Sequence, residues 1–215
     1  MCPHHESDAY KKLIANNAIW IDEKLSSDPT YFARLANGQN PPFLYLGCSD
    51  SRLPIDVMTR TEPGQIFIHR NIANQIFLND MNFLSVLQYA VQVLHVEHII
   101  ICGHYKCGGI EAAYNGTATG LVENWVMNIR DIAMENKKEL DDIADREQRL
   151  NRLSELNVIR QLRQLCKTSI MHDAFKSNTY PKLHGWVLDI RHGKIIELPL
   201  PLDEWKQYGL LPADY

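Results

Sequence analysis

Two thiols and an imidazole, at Cys48, His104 and Cys107, are the side chains of this sequence best suited to hold a metal ion. Sulfur and imidazole nitrogen are the donors zinc prefers in a tetrahedral shell, and three protein ligands leave the fourth position open, as catalytic sites do and structural sites do not. His104 and Cys107 form a His-x-x-Cys pair that one tight loop can present, while Cys48 stands 56 positions before His104. Gly103, Gly108 and Gly109 would let that loop fold closely around an ion. A His-x-x-Cys pair alone is weak grounds for a metal site, and a lone Cys is most often a small buried apolar residue. The neighbours of Cys48 add weight. In Cys48-Ser49-Asp50-Ser51-Arg52 a carboxylate follows two residues on and a guanidinium four residues on. Standing alone, Asp50 and Arg52 would read as a loop cap and a surface salt bridge. Beside a thiol they make a loop that is unusual unless it does chemistry.

The elements that must position these residues are legible in outline. Phe43-Leu44-Tyr45-Leu46 reads as a buried strand ending at the Cys48 loop, and Val96 to Cys102, rich in β-branched residues, as a second strand ending at the His104 loop. A further strand is expected at Gln65 to His69, an apolar helix over residues 79–94, mostly helix over 120–178, and a closing hairpin of Leu183 to Ile190 and Lys194 to Pro199. Residues 8–37 read as helix with a fresh start at Asp28-Pro29, where Asp caps and Pro suits the first turn. The charged stretch from Arg130 to Arg152 reads as a solvated helix face. Strands alternating with helices imply an α/β fold with a mainly parallel sheet, in which ligand chemistry sits beyond the carboxyl ends of the strands. Both polar loops lie at such ends.

The chain has 215 residues, 45% of them apolar and 22% charged, which suits one compact globular domain without disulfide staples. The net charge of −4 argues against nucleic acid as a partner. Apolar runs such as Ile99 to Cys102 are far too short to span a bilayer, and the first residues lack the pattern of a secretion signal, so a cytoplasmic, reducing setting is expected. There an odd count of five cysteines points to metal or catalysis before disulfides. Cys102 reads as core, Cys2 and Cys166 as free thiols, and His4 and His5 as part of a loose terminus.

Cys48-Ser49-Asp50-Ser51-Arg52, His69-Arg70-Asn71-Ile72-Ala73-Asn74 and Gly103-His104-Tyr105-Lys106-Cys107-Gly108-Gly109, in that order, resemble the motifs of the β-class carbonic anhydrases. The resemblance runs from about residue 10 to about residue 195 and leaves the last 15 or so residues without a signal. It implies an α/β domain over residues 1–215, with 1–37 as an N-terminal helical arm whose residues 8–26 pack on a partner subunit. It implies one zinc ion per chain on Cys48, His104 and Cys107, and reversible hydration of carbon dioxide to bicarbonate and a proton by zinc-bound hydroxide. Asp50 then takes a hydrogen bond from the zinc-bound water and orients it, and Arg52 keeps Asp50 ionised.

By position, Gln39, Phe67, Ile72 and Tyr89 match the family's substrate pocket, which is assembled across a dimer interface, and the backbone at Gly103 and Gly108 lines the same space. A homodimer follows, with further assembly to a tetramer left open. Two alternatives stand beside this reading: hydrolysis of carbon disulfide or carbonyl sulfide on the same scaffold, and a zinc-holding protein without turnover. Some bacterial members shut down when bicarbonate binds a second site built from a Trp, the Arg of the Arg-Asn segment and a late Tyr. Here Arg70 matches, but Tyr45 and Leu188 stand at the other two positions, so no such shutdown is expected and Arg70 is read as a structural ion pair at the subunit interface.

Overall fold

A computed structural model of the protein describes residues 8–215, so Cys2, His4 and His5 lie outside the described residues. The chain divides into two compact units, one ending at Gln39 and the other running from Asn40 to Tyr215. The first holds helices α1 (Asp8–Ser27) and α2 (Tyr31–Ala36). The break between them falls where Asp28 and Pro29 place it. The Asp28 carboxylate accepts hydrogen bonds from the Thr30 backbone N–H (2.9 Å) and hydroxyl (2.7 Å) and pairs with Arg34. α1 buries none of its residues, and Leu13, Ile14 and Ile19 are each more than half exposed.

The second unit is built on five strands: β1 (Phe43–Cys48), β2 (Ile66–Asn71), β3 (His98–His104), β4 (Lys182–Asp189) and β5 (Lys194–Glu197). Their spatial order is β2-β1-β3-β4-β5, parallel except for β5, which returns antiparallel from β4. β1 and β3 are buried along almost their whole length, as central strands covered on both faces must be. The connecting helices are α3 (Ile55–Thr59), α4 (Met81–Gln88), α5 (Gly108–Asn115), α6 (Gly120–Glu135), α7 (Lys137–Asp141), α8 (Arg146–Cys166), α9 (Ser169–Lys176) and α10 (Leu202–Gln207). The mainly parallel α/β architecture matches the sequence reading.

The differences are local and have physical causes. The helix expected over 79–94 is α4 followed by a wider turn, Tyr89–Val93, in which the Leu94 N–H reaches the Tyr89 carbonyl five residues back (2.9 Å). Val96 closes that turn on the Ala90 carbonyl, and the N–H groups of Glu97 and His98 both go to Pro42, so β3 starts at His98 rather than at Val96. His104 is therefore the last residue of a strand and not a loop residue. In the charged stretch, Arg146 pairs with Glu111 and Arg152 with Glu139 at the surface, but Ile132 and Leu140 on the same stretch are fully buried. The last residues, silent in the sequence, close the core: Trp205 and Leu211 are buried, and the Tyr215 hydroxyl accepts the Leu183 N–H (2.7 Å).

Candidate metal centre

β1 and β3 are neighbours in register, with Gly47 opposite Cys102, so their carboxyl ends bring Cys48 and His104 together. The chain then reverses at Lys106 (φ 57°) and sets Cys107 at the N-cap of α5. The helix's first N–H groups have no partner within the helix. Those of Gly109 and Ile110 point to the Cys107 sulfur, and those of Asp50 and Ala73 to the Cys48 sulfur. A Cβ on Gly103 would lie 2.8 Å from Val158 Cγ2, so that something would have to shift, and one on Gly109 would lie 3.1 Å from Ala73 Cβ, a tight approach. Gly108 faces open space.

The donor atoms of Cys48, His104 and Cys107 all lie within 4.8 Å of one another, and the three residues are buried. The sulfurs are 4.0 Å apart. A tetrahedral zinc with bonds of about 2.3 Å to sulfur would hold two thiolates about 3.7 Å apart, so the spacing fits with little movement. His104 Nδ1 faces the Tyr105 carbonyl at 3.0 Å, which keeps the proton on Nδ1 and the lone pair on Nε2. That Nε2 is buried and has no hydrogen-bond partner. The two thiols differ. The hydrogen bond shared with Cys107, with the Asp50 and Ala73 N–H groups, pulls the Cys48 thiol well below the ordinary range, and the charge this leaves beside Cys107, with its burial, pushes Cys107 up. A second thiolate forms there readily only with a cation between the sulfurs. Donor types, spacing and the orphaned nitrogen all fit a zinc ion.

Asp50 stands next to this cluster and outside it. Arg52 donates to its carboxylate from the backbone (2.9 Å), from Nε (2.9 Å) and from Nη2 (2.6 Å), and reaches the Lys106 carbonyl (3.3 Å). Arg52 thus ties both loops together and holds the Asp50 carboxyl well below the usual carboxylate range. Asp50 Oδ2 lies 3.8 Å from His104 Nε2, close enough to face whatever binds at the open position.

Within the chain, the Arg70 guanidinium makes hydrogen bonds to the backbone carbonyls of Cys48 (2.8 Å) and Asp50 (2.5 Å), bracing the loop that carries both. Tyr45 and Leu188 are buried core residues, as is Cys102; burial pushes the Cys166 thiol up to about 12. Of the expected pocket residues, Phe67 and Tyr89 face each other with ring centroids 5.8 Å apart, and Ile72 and Tyr89 are exposed. Gln39 is exposed at the end of the first unit.

Residues to which the sequence assigned no role complete the site. Ala73 (φ 57°) and Asn74 (φ 48°), the end of the second motif, adopt left-handed conformations that cost about 1–3 kcal/mol each, yet they set the Ala73 N–H 3.3 Å from Cys48 Sγ. Trp125 Nε1 anchors the same turn at the Ile72 carbonyl (2.7 Å). From α8, Asn157 and Gln161 join Gln75 in a buried network beneath it. The available signal was a polar row, Ser154, Asn157 and Gln161, at helical spacing amid Leu153, Val158 and Leu162.

A family model described as carbonic anhydrase matches residues 43–195. A carbonic anhydrase of Emericella nidulans is 43% identical over 189 residues, 88% of this chain and 83% of the relative, and one of Candida albicans is 36% identical over 194 residues, 89% and 68% of the two. Among solved structures, a tetrameric β-carbonic anhydrase of the ascomycete Sordaria macrospora superposes with a TM-score of 0.85 at 34% identity, covering 89% of this chain and 98% of the other. A Coccomyxa β-carbonic anhydrase in complex with acetazolamide gives a TM-score of 0.86 at 30% identity, covering 97% and 95%. Neither of the alternative readings finds support among these relatives.

Proposed function

The chain belongs to the β-carbonic anhydrase family, and from that footing we propose that it hydrates carbon dioxide reversibly to bicarbonate and a proton at Cys48, His104 and Cys107. The observation that carries this reading is the buried cluster of two sulfurs and one partnerless imidazole nitrogen, with an ionised Asp50 at its edge. These three residues would hold a zinc ion, which supplies a Lewis acid able to make water a nucleophile near neutral pH.

The chain's own groups do the rest. The backbone N–H groups at Ala73 and at the start of α5 support the two thiolates. The His104 Nδ1–H held by the Tyr105 carbonyl aims Nε2 at the ion. Asp50, ionised and locked in a fork by Arg52, can only accept a hydrogen bond, so it selects an oxygen that carries a proton and turns its remaining lone pairs toward the substrate. Gln39, Phe67, Ile72 and Tyr89, in a pocket assembled across a subunit interface, would give a small apolar gas a largely apolar surface with few polar groups. The exposed apolar side chains of α1 support a homodimer, and the tetrameric Sordaria relative supports assembly beyond it. A cytoplasmic setting fits four buried cysteines that are all unpaired.

Metal analysis of the purified protein should find about one zinc per chain, and stopped-flow assay should show carbon dioxide hydration. A zinc-loaded protein that released sulfide from carbon disulfide but left carbon dioxide untouched would replace this reading.

A further inference from the structure

The turn after β2 is held from the far side of the core. The Ala73 carbonyl accepts two side-chain amides, Gln75 Nε2 (2.7 Å) and Asn157 Nδ2 (3.0 Å). Asn157 Oδ1 in turn accepts from Gln75 Nε2 (2.8 Å) and Gln161 Nε2 (2.9 Å), and Gln161 Oε1 accepts the Ile76 N–H (2.8 Å). Gln75, Asn157 and Gln161 are at most 1% exposed. They sit amid Leu153, Val158 and Leu162, where an apolar helix face would pack without carboxamides to satisfy. Two of these bonds end on the carbonyl of the left-handed turn whose Ala73 N–H meets the Cys48 sulfur, and the others link Asn157, Gln161 and the Ile76 N–H just beyond it.

We infer that Asn157 and Gln161 are positioning residues for the metal centre: from α8 they fix the Ala73 N–H on Cys48 Sγ and so set how much charge that thiolate gives to a bound ion. A hydrogen bond to a ligating sulfur draws density away from the metal–sulfur bond, and groups one step beyond the ligands commonly change metal affinity or activity by about 10–100-fold. Among the described residues, the hydrogen bonds of Gln75, Asn157 and Gln161 reach the donor atoms only by way of Ala73. The inference rests on the proposed ligand set, because without an ion on Cys48 there is no bond to tune.

Cobalt(II) loaded in place of zinc gives the readout, through its sulfur-to-metal charge-transfer band and the rate at which a chelator strips it. Asn157→Leu and Gln161→Met, the latter keeping length and bulk, should still bind cobalt but shift the band and lose the metal about tenfold faster. Ser154→Ala, on the same buried helix face but bonded only to the Leu150 carbonyl of its own helix, should match wild type in both. Folded Asn157→Leu or Gln161→Met with a wild-type band and wild-type metal loss would overturn the inference. So would failure of both variants to fold while Ser154→Ala folds, since the network would then serve folding alone. Absence of the sulfur-to-cobalt band in wild type would instead strike the ligand set, and a wild type that shows the band but does not hydrate carbon dioxide would strike the proposed activity and leave the positioning role standing.

Discussion

One sheet carries two histidine clusters, one toward each end of its strands. At the carboxyl ends, His104 is buried with Nε2 unpartnered, beside two sulfurs that face the same point. Toward the amino ends, His98 Nδ1 and His184 Nε2 lie 3.0 Å apart, and the other nitrogen of His184 lies 3.2 Å from Glu197. The second cluster satisfies its own polar atoms. The first does not, and among the described residues it is the group of three or more such side chains whose donor atoms converge as a metal requires. A metal centre shows itself by lone pairs aimed at a common point with nothing of the protein to meet them; histidines that answer one another are structure.

The comparison breaks most visibly at Cys107. Cys107→Ser removes a charged ligand at the N-cap of α5, so zinc content by metal analysis should fall from about one per chain toward none, and hydration with it. Full zinc retention would mean a different ligand set. Next comes Asp50→Ala, which should keep zinc but lower the hydration rate about 10–100-fold, because the site loses its orienting acceptor. Arg52→Ala should act in the same direction and less, since Arg52 works through Asp50. Wild-type rates in both would take the pair out of the mechanism. Bicarbonate titration at fixed pH and ionic strength should show simple product inhibition, since Arg70 is committed to the Cys48 and Asp50 carbonyls and Leu188 offers no donor. A sigmoidal loss of rate that Arg70→Ala abolished would contradict that.

The smallest effect belongs to the amino-end cluster. His98→Phe keeps the ring beside Phe43 and should leave hydration unchanged, with stability altered by about 1 kcal/mol for one lost hydrogen bond. Burial, with His184 and Lys182 nearby and only Glu97 opposing, holds the His98 imidazole below its ordinary pKa. The folded chain then resists a proton that the unfolded chain accepts, so wild-type stability should fall as pH drops through about 6.5, and denaturant midpoints of His98→Phe should show a weaker fall. A large loss of hydration in this variant would erase the distinction between the two ends.

The ligands were legible because their chemistry is written in residue type: Cys48, His104 and Cys107 stand at the ends of β-branched or apolar runs that stop at glycine-rich loops. The parallel sheet was legible for the same reason, and the strand boundaries were not. β3 begins two residues late because Pro42, in another segment, accepts the N–H groups of Glu97 and His98. The bracing bonds of Arg70 were not legible either, because its partners within the chain are backbone carbonyls, which no side-chain pattern records. Ala73 stood inside a motif, but its role could not be read, since its contribution is an N–H in a left-handed turn. Asn157 and Gln161 lie more than 80 residues from the turn they hold, and polar residues on a helix ordinarily face water.

The central claim is tested most directly by stopped-flow carbon dioxide hydration on one preparation in three states: as purified, after chelation, and after zinc is returned. Catalysis should be present, then absent, then restored in proportion to zinc bound. A rate that survived complete removal of the metal, or a zinc-loaded protein no faster than the uncatalysed reaction, would contradict it.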